Sequence, residues 1–142
     1  MRLKIFLLSF LILGVLGCRV TLVPPYDAAM EDQITNTARL NDALYLQMLE
    51  MKEADRKYEV FAPRYQEIEL EINSIVMKTK ARDHNKDLLV IAGDLQKLFV
   101  QLKTDHKTKN TLADGDIKLN QMQIGAIWTS FLVAEKALKR QK

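Results

Sequence analysis

The strongest constraint on how this chain folds is a run of apolar residues at strict three-four spacing: Tyr58, Phe61, Tyr65, Ile68, Ile72 and Ile75. An α-helix completes a turn every ~3.6 residues, so this spacing sets all six side chains on one face. Such a stripe is stable in water only when buried against other helices. The next position in the spacing is Thr79, so the stripe turns polar toward the expected helix end near Arg82. Pro63 fits best in the first turn of this helix, where its missing N–H costs nothing, with residues 56–62 as the preceding turn. The stripe nonetheless begins ahead of that proline, at Tyr58.

Three other segments carry related patterns. Asp27 follows Pro24-Pro25-Tyr26 and is a good N-cap for a helix expected to run to about Asp55, with Glu31 and Asp32 placing negative charge in its first turns. Its stripe is Met30, Ile34, Ala38, Leu44, Met48 and Met51, interrupted by Asn41, for which an edge position is expected. After a turn at Asp83-His84-Asn85, a third helix carries Leu88, Ile91, Ala92, Leu95, Leu98, Phe99 and Leu102, with Gly93 inside it. The polar stretch beginning at Asp105 reads as a loop continuing to Asp116. The fourth helix then carries Ile117, Ile124, Ile127, Trp128, Phe131, Ala134 and Leu138, and Asn120 and Gln121 make its first turns the least firmly packed.

No segment has the alternation and turn signals of a strand pair. Four amphipathic helices with short polar connections predict an all-α, antiparallel up-down-up-down four-helix bundle over residues 27–142. The even number of helices returns the second turn and the C-terminus to the end where the chain enters.

Ahead of the bundle, a short basic start with Arg2 and Lys4 precedes an apolar run from Ile5 to Leu16, broken only by Ser9 and Gly14. That is the layout of an export signal. About twelve apolar residues span roughly 18 Å of helix, short of the ~30 Å core of a bilayer. The run ends in Val15-Leu16-Gly17-Cys18, which resembles the lipobox of bacterial lipoproteins. The resemblance implies removal of residues 1–17, a diacylglyceryl group on the Cys18 thiol, and acylation of the new amino group. It also accounts for a lone cysteine in an exported chain, which has no disulfide partner. Two or three acyl chains give stable anchoring where one is marginal. Arg19 stands where an Asp would retain an enteric-type lipoprotein in the inner membrane, so the outer membrane, facing the periplasm, is the expected location. Residues 18–26 form a short tether. Its seven residues 19–25 reach at most about 25 Å. Pro25-Tyr26-Asp27 ahead of a long helix is also similar to the Tyr-Asp start of a group of small uncharacterised Gram-negative lipoproteins, although Ala28-Ala29-Met30 replaces the usual Thr-Asp continuation.

The full chain has 21 Lys and Arg against 18 Asp and Glu; loss of Arg2 and Lys4 with the signal leaves 19 against 18. No concentrated basic footprint for nucleic acid remains. Charge does divide along the chain: residues 27–76 hold eleven acids and five bases, residues 77–142 seven acids and thirteen bases. This split favours cross-hairpin pairing and offers a route to self-association. At the tether end, Lys78, Lys80, Arg82 and Lys86 join Lys136, Lys139, Arg140 and Lys142. These groups either touch an anionic lipid surface or complement the C-terminal ends of the second and fourth helices.

Chemical motifs are scarce. The Glu-x-x-His pairs of a di-iron bundle are absent. His84 and His106 fall at opposite expected ends, which leaves only Asp83, His84 and Asp87 as a weak surface ion site. Neither a nucleophile triad nor a phosphate loop is recognisable. No enzyme activity, metal or cofactor is expected. Two function classes follow. One is a lipid-anchored, non-enzymatic module that docks an envelope protein. The other is a binder of a small apolar ligand between the helices, lined by Tyr58, Phe61, Tyr65 and Trp128.

Overall fold

The computed structural model describes residues 23–141, and the expected signal segment, the expected lipid site Cys18 and the tail residue Lys142 lie outside them. Four helices follow one another: α1 (Ala28–Leu49), α2 (Tyr58–Lys80), α3 (Lys86–Lys109) and α4 (Asp114–Leu138), with single 3₁₀ turns at Glu53–Asp55 and Lys139–Gln141. Each packs on its neighbour in sequence and α4 closes on α1, leaving α1 diagonal to α3 and α2 diagonal to α4. This is the up-down-up-down bundle that the stripes predict.

The Asp27 carboxylate accepts from the Ala29 and Met30 amides and so caps α1. The α1 stripe buries Met30, Ile34, Leu44 and Met48 as expected, but it also takes in Thr37, Asn41 and Tyr45. Asn41 is therefore a core residue rather than an edge one: it continues the 34, 37, 41, 44, 48 spacing, and helical phase overrides polarity. The helix stops at Leu49 instead of near Asp55, because Arg56 draws the chain inward. The Arg56 Nε and Nη2 donate to the Met51 carbonyl at 2.9 and 2.7 Å.

The second helix begins at Tyr58, so Pro63 lies inside it. Only the Glu59 carbonyl forgoes its i+4 donor, and Glu59 and Pro63 are both exposed, so water can take the bond. The early start gains more than it loses. The Tyr58 amide donates to the Asn110 carbonyl at 3.1 Å, and Tyr58 and Phe61 pack around His106.

The largest difference from the sequence reading concerns residues 105–116. α3 runs on to Lys109 and α4 starts at Asp114, so the loop is only residues 110–113. His106 falls in phase with Phe99 and Leu102 and is fully buried. Asn110 adopts the left-handed conformation (φ 63°) that ends a helix, and Leu112 plugs the loop into the core. At the start of α4, Ile117 is fully buried while Asn120 and Gln121 are partly exposed. The Gln121 amide donates to Asp42 of α1.

One arginine organises this end. Arg56 Nη1 donates to the Leu112 carbonyl at 3.0 Å and pairs with Asp114 at 2.6 Å, while the Arg56 carbonyl lies 2.8 Å from His106 Nε2. A carbonyl only accepts, so Nε2 carries the proton and Nδ1 accepts from the Tyr65 hydroxyl at 3.1 Å. Burial pushes the His106 pKa down, opposed by the bond to the Arg56 carbonyl. The Tyr45 hydroxyl, the Asn41 Oδ1 and the Trp128 Nε1 are buried with no protein partner.

The two buried tyrosines should respond oppositely to loss of the hydroxyl. Tyr65→Phe strips His106 Nδ1 of its donor and is expected to cost about 1–3 kcal/mol. Tyr45→Phe removes an unpartnered hydroxyl and should stabilise by roughly 1 kcal/mol. Urea denaturation of both variants checks the pair, and destabilisation by Tyr45→Phe would contradict the second half. Acid should act through His106. The unfolded imidazole takes its proton near pH ~6.5 while the folded one resists it, so stability present above that pH is lost as the pH falls toward the folded-state value. The melting temperature should therefore drop between pH 7 and pH 5, and His106→Gln should flatten that drop.

Candidate functional site

The end of the bundle where the chain enters collects most of the residues singled out for function. The second turn is built by its own side chains: Asn85 Nδ2 donates to the Thr79 carbonyl at 2.6 Å and closes the end of α2, while His84 takes a left-handed conformation (φ 54°). That turn aims Arg82 across the end of the bundle toward α4. There Arg82 meets Glu135, whose carboxylate is fully buried, in a forked pair with Nη1 to Oε2 at 2.7 Å and Nη2 to Oε1 at 3.1 Å. Trp128, Phe131, Glu135 and Leu138 share one helical face, so helical phase alone carries this acid into the core.

The pair is completed by the incoming chain. The Asp27 amide donates to Glu135 Oε1 at 3.1 Å, and Arg82 Nη2 donates to the Pro25 carbonyl. Pro24 is buried, and Val23 and Tyr26 pack on the core. These residues belong to the bundle rather than to a tether: the buried ion pair needs further hydrogen bonds to offset its desolvation, and the backbone of residues 25–27 supplies them. Only residues 19–22 separate Cys18 from the packed chain.

A second cluster covers the clamp. The Tyr26 hydroxyl donates to Glu31 Oε2 at 2.8 Å, Lys139 pairs with the same oxygen at 2.8 Å, and the Lys139 ammonium sits 4.7 Å from the centre of the Tyr26 ring. The bonds from Lys139 and Tyr26 lower the Glu31 pKa, and the bond to Glu31 raises that of Lys139. Lys136 stands 3.9 Å from Glu31.

Of the basic residues read as lipid contacts, Lys136, Lys139 and Arg140 are exposed at this end beside the incoming chain. Lys78 and Lys80 are exposed on the last turn of α2, with Lys78 donating to Gln33 at 2.7 Å. Arg82 differs: its side chain is 11% exposed and its guanidinium is committed to Glu135 and Pro25. The four aromatics read as a ligand lining do not form one set. Tyr58 and Tyr65 stack at 5.8 Å and, with Phe61, close on His106, while Tyr65 also meets Phe99. Trp128 is on α4, diagonal to them. One open surface groove reaches Tyr58, beside Glu59, Gln66 and Lys103, and it includes neither Phe61, Tyr65 nor Trp128.

Two features of the site escaped the sequence reading. One is Glu135, which drew no remark in sequence although its spacing from Trp128 and Phe131 marks it as inward. The other is the outward face of α4. Residues 119–134 contain no charged side chain, and Leu119, Met122 and Val133 are 47%, 67% and 63% exposed. By contrast, the exposed faces of α1, α2 and α3 carry Asp32, Arg39 and Asp42; Arg64 and Glu67; and Asp94 and Lys97.

Among the described residues, no group of three or more His, Cys, Asp or Glu is arranged to hold a metal ion, and no helix is long and apolar enough to cross a membrane. No protein family, curated protein or solved structure matches the chain.

The clamp yields a double-mutant test. Arg82→Met leaves Glu135 buried without its cation and should cost about 3–5 kcal/mol. Changing both partners, Arg82→Met with Glu135→Met, should recover most of that loss. Urea unfolding supplies the four stabilities, and hydrogen exchange at the Asp27 amide should accelerate in both variants. A double variant no more stable than Arg82→Met would show that the apolar pair does not fill the site.

Proposed function

We propose that this chain is a lipid-anchored lipoprotein of the cell envelope, attached to the outer membrane through Cys18 and facing the periplasm. In this reading it works without catalysis, by holding a protein-binding surface close to the membrane. The observation that carries the proposal is the clamp on residues 24–27. Arg82 and Glu135 grip the backbone immediately after the tether, and Tyr26 is held beneath Lys139. A chain whose task needed reach would gain nothing from fastening its own leash. Residues 18–22 extend no more than about 17 Å, so a bundle clamped in this way stays beside its anchor and keeps a fixed end toward it.

The exposed bases Lys136, Lys139 and Arg140 suit that position next to anionic headgroups. The ligand-binding alternative draws less support, since Tyr58, Phe61 and Tyr65 surround His106 rather than an open space shared with Trp128.

Expression of the full chain in a Gram-negative host, followed by intact-mass measurement of the membrane fraction, tests the anchor. The expected product starts at Cys18 and carries the mass of its acyl chains, whereas Cys18→Ala should be left unacylated. A soluble product without lipid overturns the anchor. Crosslinking in native envelopes tests the docking role: a defined envelope protein should be captured with the wild-type chain, and capture should fall several-fold when Arg82 and Glu135 are both replaced by Met. Capture equal in both forms would remove the clamp from the argument.

A further inference from the structure

The geometry points to a specific seat for this bundle: we propose that the outward face of α4 lies against the anionic leaflet of the membrane that holds the anchor, resting the bundle on its side with α2 turned away. The inference deepens the lipoprotein reading and rests on it for the identity of the membrane.

Four observations converge on α4. Its exposed side is uncharged from Leu119 to Ala134, and its exposed positions there are Leu119, Met122, Gln123, Ala126, Thr129, Ser130 and Val133. The two hydroxyls on this side are already satisfied: Thr129 Oγ1 donates to the Gly125 carbonyl and Ser130 Oγ to the Ala126 carbonyl, each at 2.9 Å. Hydroxyls turned back onto the helix in this way have little need of water, which leaves Gln123 as the exposed polar side chain at the border of the face. At the anchor end the face opens into a shallow groove lined by Val133, Ala137, Lys136 and Arg140. An apolar floor between two cations matches the chemistry of a phospholipid, with its acyl chain below an anionic phosphate. Finally, the clamped residues 25–27 bring the incoming chain to this same end of α4.

The charges around the face select the occupant. The acids of α4 are occupied within the chain: Asp114 pairs with Arg56, Asp116 with Lys109 and Glu135 with Arg82. The bases exposed along its edge are Lys118, Lys136 and Arg140, while the exposed Asp114 and half-exposed Asp116 at the start of the helix are paired with Arg56 and Lys109. Lys139 is turned to Glu31, which also lies 3.9 Å from Lys136. A second copy fits this edge poorly. Parallel pairing of α4 would set Lys136 and Arg140 against their own counterparts, and antiparallel pairing about Ala126 would bring Lys118 near the other copy's Lys136. An anionic leaflet accommodates all three cations at once, with their stems lying along the apolar surface. Since α2 is diagonal to α4, this seat turns its exposed Leu70 and Met77 toward the periplasm and the protein partner.

An environment-sensitive dye tests the seat in the full, lipidated chain, where the lipid on Cys18 leaves only an introduced thiol to label. Dye is placed at Ala126→Cys or Val133→Cys on α4, or at Leu70→Cys on α2, and the protein is reconstituted in vesicles of phosphatidylglycerol and phosphatidylethanolamine. The expected result is a several-fold loss of iodide quenching at both α4 positions and none at Leu70. The protection should shrink in phosphatidylcholine vesicles and with Lys118→Glu and Arg140→Glu together. Equal quenching at all three positions overturns side-on docking, as does protection at Leu70. Protection of the α4 dyes that appears in detergent without vesicles and grows with protein concentration assigns the face to a second copy instead. Should intact mass find Cys18 unacylated, the lipoprotein reading fails separately. Flotation of that unlipidated chain with the anionic vesicles then decides the face by itself: binding lost in Lys118→Glu/Arg140→Glu sustains it, and no binding overturns it.

Discussion

The pair between Arg82 and the buried Glu135 is the interaction on which the end of the bundle where the chain enters depends. A carboxylate with no solvent exposure is costly unless its charge and its lone pairs are all met. Here the forked guanidinium meets the charge and the Asp27 amide takes up further acceptor capacity. The same guanidinium reaches the Pro25 carbonyl. Three stretches far apart in sequence therefore converge on one carboxylate: the entry to α1, the turn after α2 and the last turns of α4. None can shift without leaving a buried charge short of partners, which is how a polar contact comes to set the path of the incoming chain.

The far end repeats the device with a different arginine. Arg56 ties the connection after α1 to the loop before α4, and its own carbonyl fixes the tautomer of His106. Each end thus has an arginine holding loop backbone, while the core between them is mainly apolar and takes in Thr37 and Asn41. The arrangement suits a helical bundle, whose stripes define which faces meet but say little about how the connections lie over the ends. Arginine serves here because its five donors can satisfy several carbonyls and a carboxylate together.

The architecture was legible in the sequence because the stripe of α2 and the matching patterns of the other helices hold their phase. Even the placement of the second turn and the basic tail beside the entering chain follows from counting helices. What escaped notice were polar residues in phase with those stripes. Asn41 follows Ile34 and Thr37, His106 follows Phe99 and Leu102, and Glu135 follows Trp128 and Phe131; all three are buried. Reading them by polarity sent Asn41 to an edge and His106 to a loop, and left Glu135 unremarked. Pro63 misled in the opposite direction, since one lost hydrogen bond on an exposed turn weighs less than the packing of Tyr58 and Phe61. Of the candidate site, the basic tail was legible and the clamp was not, because a clamp depends on which distant backbone groups arrive at the carboxylate.

The seam between α1 and α4 faces a particular demand, because no loop joins those two helices. The other three adjacent pairs are consecutive in the chain and are brought together by short connections, whereas α4 must find α1 across the whole sequence. Polar contacts run along this seam: Lys139 and Lys136 to Glu31, Glu135 to the Asp27 amide, and Gln121 to Asp42. Apart from the buried Glu135, these are pairs near the surface that add little stability individually. Their value lies in position, since each is made only when α4 has the correct rotation and height against α1. That same rotation sends Glu135 inward and Met122, Ala126 and Val133 outward. The contacts that close the bundle therefore also determine which side of α4 is left uncovered.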